Sequence, residues 1–360
     1  IFVNFTYSEN SQKGKVTDKS CTMSNYNFTE QHFENAILEL MHERLKYDYV
    51  YGPNVERDYS EPLHMELLRQ SLYDINKLPA EAIEEAITKI RTIETGSLVQ
   101  RNETFTDYLQ NGVEVNYYDG KEQRATRVKL IDYAQPLNNT FTVTNQWTIE
   151  ERSTRRADII VFVNGLPLVV VELKSPSREQ TNASEAYAQL RNYMQEIPSL
   201  FVYNAFCVMS DMAISKAGTI TAGEDRYMEW KTTDGFRESN HAITFDVLFE
   251  GMFEKTRLIE ILRQFICFSK DEKQSAKILA GYHQFFAVRK AVDSVVEATK
   301  TDGKGGVFWH TQGSGKSLSM VGINAFWQQS LKGGIILVAV VINVLVQRAA
   351  ERRALEGREI

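Results

Sequence analysis

Asp158, Glu172 and Lys174 are the residues of this chain whose types and spacing could do chemistry together. They stand at the two ends of the segment 156–174, in which two apolar, β-branched runs are joined through Asn164-Gly165. That pattern is a strong short-range signal for a hairpin. Glu172 and Lys174 lie two residues apart on a strand and share a face, while Leu173 points to the other. Two carboxylates and an ammonium at the end of a buried hairpin are costly unless they pair or bind a cation. Metal-assisted phosphodiester hydrolysis would use this set: Asp158 and Glu172 as hard oxygen ligands for Mg²⁺, Lys174 to orient or help deprotonate water and to offset phosphate charge. Register is the test. A strict two-residue Asn164-Gly165 turn sets Asp158 opposite Val171, away from Glu172, so a joint site requires an odd-length connection such as 163–167, or a bulge. The other reading is a structural strand whose end charges reach solvent.

The flanking sequence must position these groups. From Thr29, a fitting N-cap, Phe33, Ile37, Leu40, Met41 and Leu45 recur at helical spacing, and Gly52-Pro53 ends any helix. Glu34 lies beside this apolar stripe, where it could face a site. Helical patterns follow over 61–72 and 79–93, then strand patterns over 112–118, 127–132 and 140–149. Residues 175–183 read as a polar connection, 184–196 as a helix and 200–209 as a strand. Residues 245–253 and 257–268 are apolar and partly helical, and 269–277 is a charged stretch between domains. Helix, strands, charged hairpin, helix, strand is an α/β order with the charged cluster at one rim of the sheet.

A second chemical signal lies further on. Residues 305–309 read as a short strand, His310-Thr-Gln-Gly313-Ser314-Gly315-Lys316-Ser317 as a loop, and 318–331 as a helix. This is the order of a phosphate-binding P-loop. Backbone N–H groups of Gly313, Ser314 and Gly315 would converge on a β-phosphate, Lys316 would neutralise β/γ charge, and Ser317 would ligate the Mg²⁺ of a bound nucleotide. His310 stands where such loops usually begin with glycine. Upstream, Gln284 sits in an aromatic-rich helix start, which resembles the Q motif of superfamily 2 helicases and so implies that its amide reads adenine.

Composition sets the bounds. With 360 residues and 43% hydrophobic content, the chain is long enough for two or three domains. Neither a membrane-length apolar run nor a signal peptide is present, and three widely spaced cysteines read as reduced thiols, so a cytoplasmic protein is expected. A net charge of -6 argues against a uniformly basic coat, yet Arg152, Arg155, Arg156, Lys174 and Arg178 cluster around the hairpin.

The order of residues resembles the PD-(D/E)xK restriction-endonuclease-like fold, with Asp158 as first carboxylate and Glu172-x-Lys174 as the second half. Gln189 and Tyr193, one helical turn apart, resemble the Gln-x-x-x-Tyr element of its RecB-like branch, and Glu34 matches an acidic residue that the family adds to its metal site. Gln284 with the loop 310–317 resembles the start of a RecA-like superfamily 2 helicase motor. The joint order resembles the restriction and translocation subunit of type I restriction-modification enzymes. That resemblance implies Mg²⁺- and ATP-dependent cleavage of double-stranded DNA in a complex with modification (methyltransferase) and specificity subunits. Expected divisions are a tail or upstream segment over 1–22, a nuclease domain over 23–250, a connection over 251–276 and an incomplete motor over 277–360. No Asp-Glu-x-His follows the loop, so the chain is expected to hold only the start of a motor, as a fragment would. The alternatives are a stand-alone RecB-like repair nuclease with a vestigial ATP site and a non-catalytic DNA-binding module.

Overall fold

The computed structural model describes residues 29–118, 120–174, 183–211, 213–239, 245–270 and 275–300. Its centre is the segment 156–174. Strand β5 (Thr154–Val163) and strand β6 (Leu166–Leu173) flank a two-residue turn in which Asn164 and Gly165 both take positive φ, 53° and 78°. Such a turn matches the right-handed twist of its strands. The turn is buried. The Asn164 amide donates to Leu130 O and Asn139 Oδ1, and its Oδ1 accepts from Thr140 N. Gly165 O accepts from His64 N at 3.0 Å.

These strands lie within a seven-stranded mixed sheet ordered β1-β4-β5-β6-β7-β8-β9. The others are β1 (Asp48–Tyr51), β4 (Phe141–Glu150), β7 (Phe206–Ser210), β8 (Ser215–Gly218) and β9 (Met228–Glu229). β6 runs parallel to β7 and antiparallel to β5, and every residue of β6 is buried. An unbroken Val/Leu run suits a strand covered on both faces. One face carries Ile159, Val161, Val163, Val169, Val171 and Leu173, packed with α1 (Glu30–Glu39), α2 (Met65–Asn76), α3 (Ala80–Arg91), α4 (Leu98–Asn111), α7 (Phe245–Phe253) and α8 (Lys255–Gln264). The other face carries Ile160, Phe162 and Val170, covered by α5 (Ala183–Glu196) and α6 (Pro198–Val202).

Local chemistry sets several boundaries. Thr29 caps α1 in a reciprocal capping box with His32 at N3, as its position in the sequence suggests. Strand β3 (Gln123–Val128), paired with β2 (Val113–Tyr118), stops short of the expected 132, because Asn76 takes both backbone groups of Lys129. The strand expected over 200–209 is a short helix followed by β7: Pro198 starts the α6 turn with its fixed φ. No sequence pattern announces α4, β1, β8 or β9. The expected interdomain stretch contains strand β10 (Ile266–Lys270) paired antiparallel with β11 (Ser275–Leu279), which leads to α9 (Tyr282–Lys300). Leu279, Phe285 and Val288 join the same buried cluster as β5 and β6.

Candidate active site

The hairpin solves its register problem with a bulge. Val163 pairs with Leu166 and Phe162 with Pro167, but Val161 pairs with Val169, so Leu168 is the extra residue. Pro167 has no N–H to offer the ladder, which is why an irregularity is tolerated there. Leu168 and Val169, adjacent in the chain, consequently face the same buried cluster. Beyond the bulge Ile159 pairs with Val171. One step further, the same register sets Asp158 opposite Glu172, both on the α5 face.

Asp158 is partly exposed and Glu172 is 2% exposed. Asp158 Oδ2 accepts from Leu173 N at 2.8 Å. Lys174 Nζ donates to Glu172 Oε1 at 2.7 Å and to Leu173 O at 3.0 Å. Glu172 Oε2 is buried with no hydrogen-bond partner. Burial pushes the Asp158 carboxyl up to about 6; the Leu173 N–H and Lys174 oppose the shift, while Glu30 and Glu34 add to it. Burial and then the Asp158 charge push Glu172 up to about 8, against Lys174. Lys174 is raised despite its own burial, because Glu172, Asp158 and Glu30 surround it with negative charge. The Lys174 contact and the carboxylate burial compete for the same proton. The net direction for the carboxylate pair is upward, since one ammonium faces the buried Glu172, the partly buried Asp158 and Glu30 besides.

Two helices close on this cluster. α5 brings Tyr193 against Glu172 and Gln189, and the Tyr193 hydroxyl donates to Arg156 O at 3.1 Å. Burial first, then the Glu172 charge, holds that phenol well above its usual range. From α1, the Glu34 carboxylate takes Asn145 Nδ2 at 2.6 Å and Gln146 Nε2 at 2.9 Å, and its charge reaches Asp158. Among the described residues no three His, Cys, Asp or Glu side chains come together as a ready metal cage. The fit to a divalent ion rests on the Asp158 and Glu172 pair, with an unpartnered buried oxygen between charged neighbours.

Sequence reading missed Glu30, Asn145 and Gln146. Glu30 and Glu34 lie one helical turn apart on α1, a spacing that could have marked both. Nothing local marks Asn145 and Gln146. Gln284 is buried and outside the carboxylate cluster; its side-chain oxygen accepts Gly281 N at 2.9 Å at the start of α9. Gly313, Ser314, Gly315, Lys316 and Ser317 lie outside the described residues.

Comparison with known proteins identifies the family. The chain is 37% identical over 308 residues to the type I restriction enzyme HindI endonuclease subunit of Haemophilus influenzae, a match covering 80% of this chain and 29% of that protein. It is 30% identical over 321 residues to the putative type I restriction enzyme MjaIXP endonuclease subunit of Methanocaldococcus jannaschii, covering 80% of this chain and 30% of that protein. A Staphylococcus aureus type I restriction enzyme endonuclease subunit is 26% identical over 53% of this chain and 20% of its own length. The chain thus spans about three tenths of the first two relatives. Residues 283–343 match the SWI2/SNF2 ATPase family. Residues 27–226, more than half of the 360, match the family described as type I restriction enzyme R protein N terminus, and the chain belongs to that family.

Proposed function

We propose that the chain carries the DNA-cutting centre of a type I restriction enzyme, a PD-(D/E)xK-type nuclease that hydrolyses phosphodiesters in double-stranded DNA. One observation carries this: a bulge in an otherwise even hairpin brings Asp158 and Glu172 to one face, with a buried Glu172 oxygen left unpartnered beside Lys174. The donor set suits a hard divalent cation such as Mg²⁺, held by Asp158 and Glu172 with Glu34 nearby. When bound, such an ion supplies Lewis-acid charge at a phosphodiester.

The protein groups divide the remaining work. Lys174 stays cationic because acids surround it, so in this state it orients water and offsets phosphate charge and does not accept a proton. Tyr193 and Gln189 wall the site from the α5 side, where Gln189, half-exposed, can meet a phosphate oxygen. The family match over 283–343 supports ATP binding at Gly313 to Ser317 with Gln284 upstream, within a RecA-like motor that the relatives' greater length could complete. Modification and specificity subunits would then choose the DNA in the cytoplasm. No helix among the described residues is long and apolar enough to cross a membrane.

Plasmid cutting by the reconstituted complex tests the site. Asp158→Ala, Glu172→Ala and Lys174→Ala should each lower cutting more than about 100-fold, beyond what loss of an outer-shell group costs. Parent-like cutting by all three variants sinks the reading.

A further inference from the structure

Asn145 and Gln146 are neighbours on β4, and consecutive strand residues ordinarily send their side chains to opposite faces. Here both reach the same carboxylate: Asn145 donates to Glu34 Oε1 at 2.6 Å and Gln146 to Glu34 Oε2 at 2.9 Å. The backbone explains how. Gln146 has φ 57°, a left-handed conformation that a side chain rarely adopts and that turns its amide out of the strand's alternation. The pairs on either side, Asn145 with Ile159 and Trp147 with Ala157, are intact, so the register sets Gln146 opposite Asp158.

This conformation is built in from outside the strand. Gly52 packs on it so closely that a Cβ there would lie 2.7 Å from Asn145 O and 3.0 Å from Gln146 O. Tyr49 fixes the other end of the Asn145 amide, its hydroxyl donating to Oδ1 at 3.0 Å. Gln31 on α1 adds a longer bond to Oε1 at 3.3 Å, so three amides grip the two Glu34 oxygens, and the Gln146 amide is the donor to Oε2, next to the strand position that faces Asp158. A non-glycine left-handed residue held by a close backbone approach is strained, and such strain gathers where geometry matters.

We infer that the Asn145-Gln146 step is a positioning device that aims the Glu34 carboxylate at the Asp158 edge of the cation site. The inference rests on the metal-site reading above. Gln146 acts through Glu34 and touches no reacting atom.

Mn²⁺ binding to the full chain, followed by calorimetry and by the spin signal of free Mn²⁺, tests it without recourse to cutting. Gln146→Gly keeps the left-handed backbone at no steric cost and deletes the amide. It should weaken Mn²⁺ binding by about 10- to 100-fold, as loss of an outer-shell partner does, with an unchanged melting temperature. In a Glu34→Gln background the same substitution should add nothing. Gln146→Gly with parent-like Mn²⁺ affinity overturns the assignment, and so does a loss of affinity that tracks a fall in melting temperature. Asp158→Ala separates the two levels. If it abolishes Mn²⁺ binding while Gln146→Gly changes nothing, the site stands and the positioning role falls; if it binds Mn²⁺ as the parent does, both fall.

Discussion

Asp158 and Glu172 are placed where a protein has reason not to put them, and this has a consequence for stability. Their ordinary values of 3.8 and 4.5 rise to about 6 and about 8 in the folded chain. The native state therefore binds protons more tightly than the unfolded chain between about pH 4 and pH 8, and stability falls as pH rises through that window. In metal-free protein, urea midpoints should drop between pH 5 and pH 8, and Mg²⁺ should restore the loss by binding the ionised pair. Glu172→Gln should flatten the profile and raise the midpoint at pH 8, although on the proposed reading it would abolish cutting. A midpoint that climbs with pH in the parent would contradict the buried-acid account. This is the expected opposition between a strained, charged site and a stable fold.

The hairpin as an element converts one residue of length into the geometry of the site. Between the turn and Glu172 there is one residue more than between Asp158 and the turn, and Leu168 absorbs it at the bulge. The turn end is held rigidly, which keeps that slack from migrating. Gly165 contributes through space as much as through φ: a Cβ there would lie 2.6 Å from His64 O and 2.6 Å from Leu68 N, at the start of α2. Gly165→Ala should cost about 2 kcal/mol or more in urea unfolding, since both a left-handed alanine and a backbone clash are imposed. If the variant matched the parent in stability, the packing of α2 on the turn would have no energetic weight.

Across the whole molecule, the β10-β11 pair is joined to the sheet by a buried cation. Lys277, 3% exposed, donates to Asn102 Oδ1 at 2.8 Å, Asn204 O at 2.7 Å and Thr106 Oγ1 at 3.3 Å. Thr219 and Thr221 hydroxyls donate to its carbonyl. It thereby ties the strand that precedes α9 to α4 and to the loop before β7. Burial lowers its ammonium from 10.5 to about 7. The unfolded chain binds more protons across that interval, so this lysine makes stability rise with pH from about 7 to 10.5. Lys277→Met should remove that slope and cost about 1–3 kcal/mol through the acceptors it leaves unpaired. Denaturation series at pH 7, 8.5 and 10 would read both effects, and an unchanged slope would refute the assignment.

Much of this was legible in the chain itself, because the signals were local. Asn164-Gly165 between β-branched runs dictates a two-residue turn, Thr29 a helix start, and the Glu172-x-Lys174 spacing a shared face, each through sterics or hydrogen bonds spanning a few residues. What stayed hidden was decided at long range. The end of β3 depends on Asn76, some fifty positions away, and α4 and β1 earn no clear periodicity until neighbours cover them. The sequence left two registers open for Asp158 and Glu172, and only the packed sheet chose between them, by seating Leu168 and Val169 in one apolar cluster while Pro167 withheld its N–H. The gathering of Glu30, Glu34, Asn145 and Gln146 around that pair likewise belongs to the tertiary structure, because contacts between residues more than a hundred positions apart follow from how helix and sheet bury their apolar faces and from no pattern within either segment.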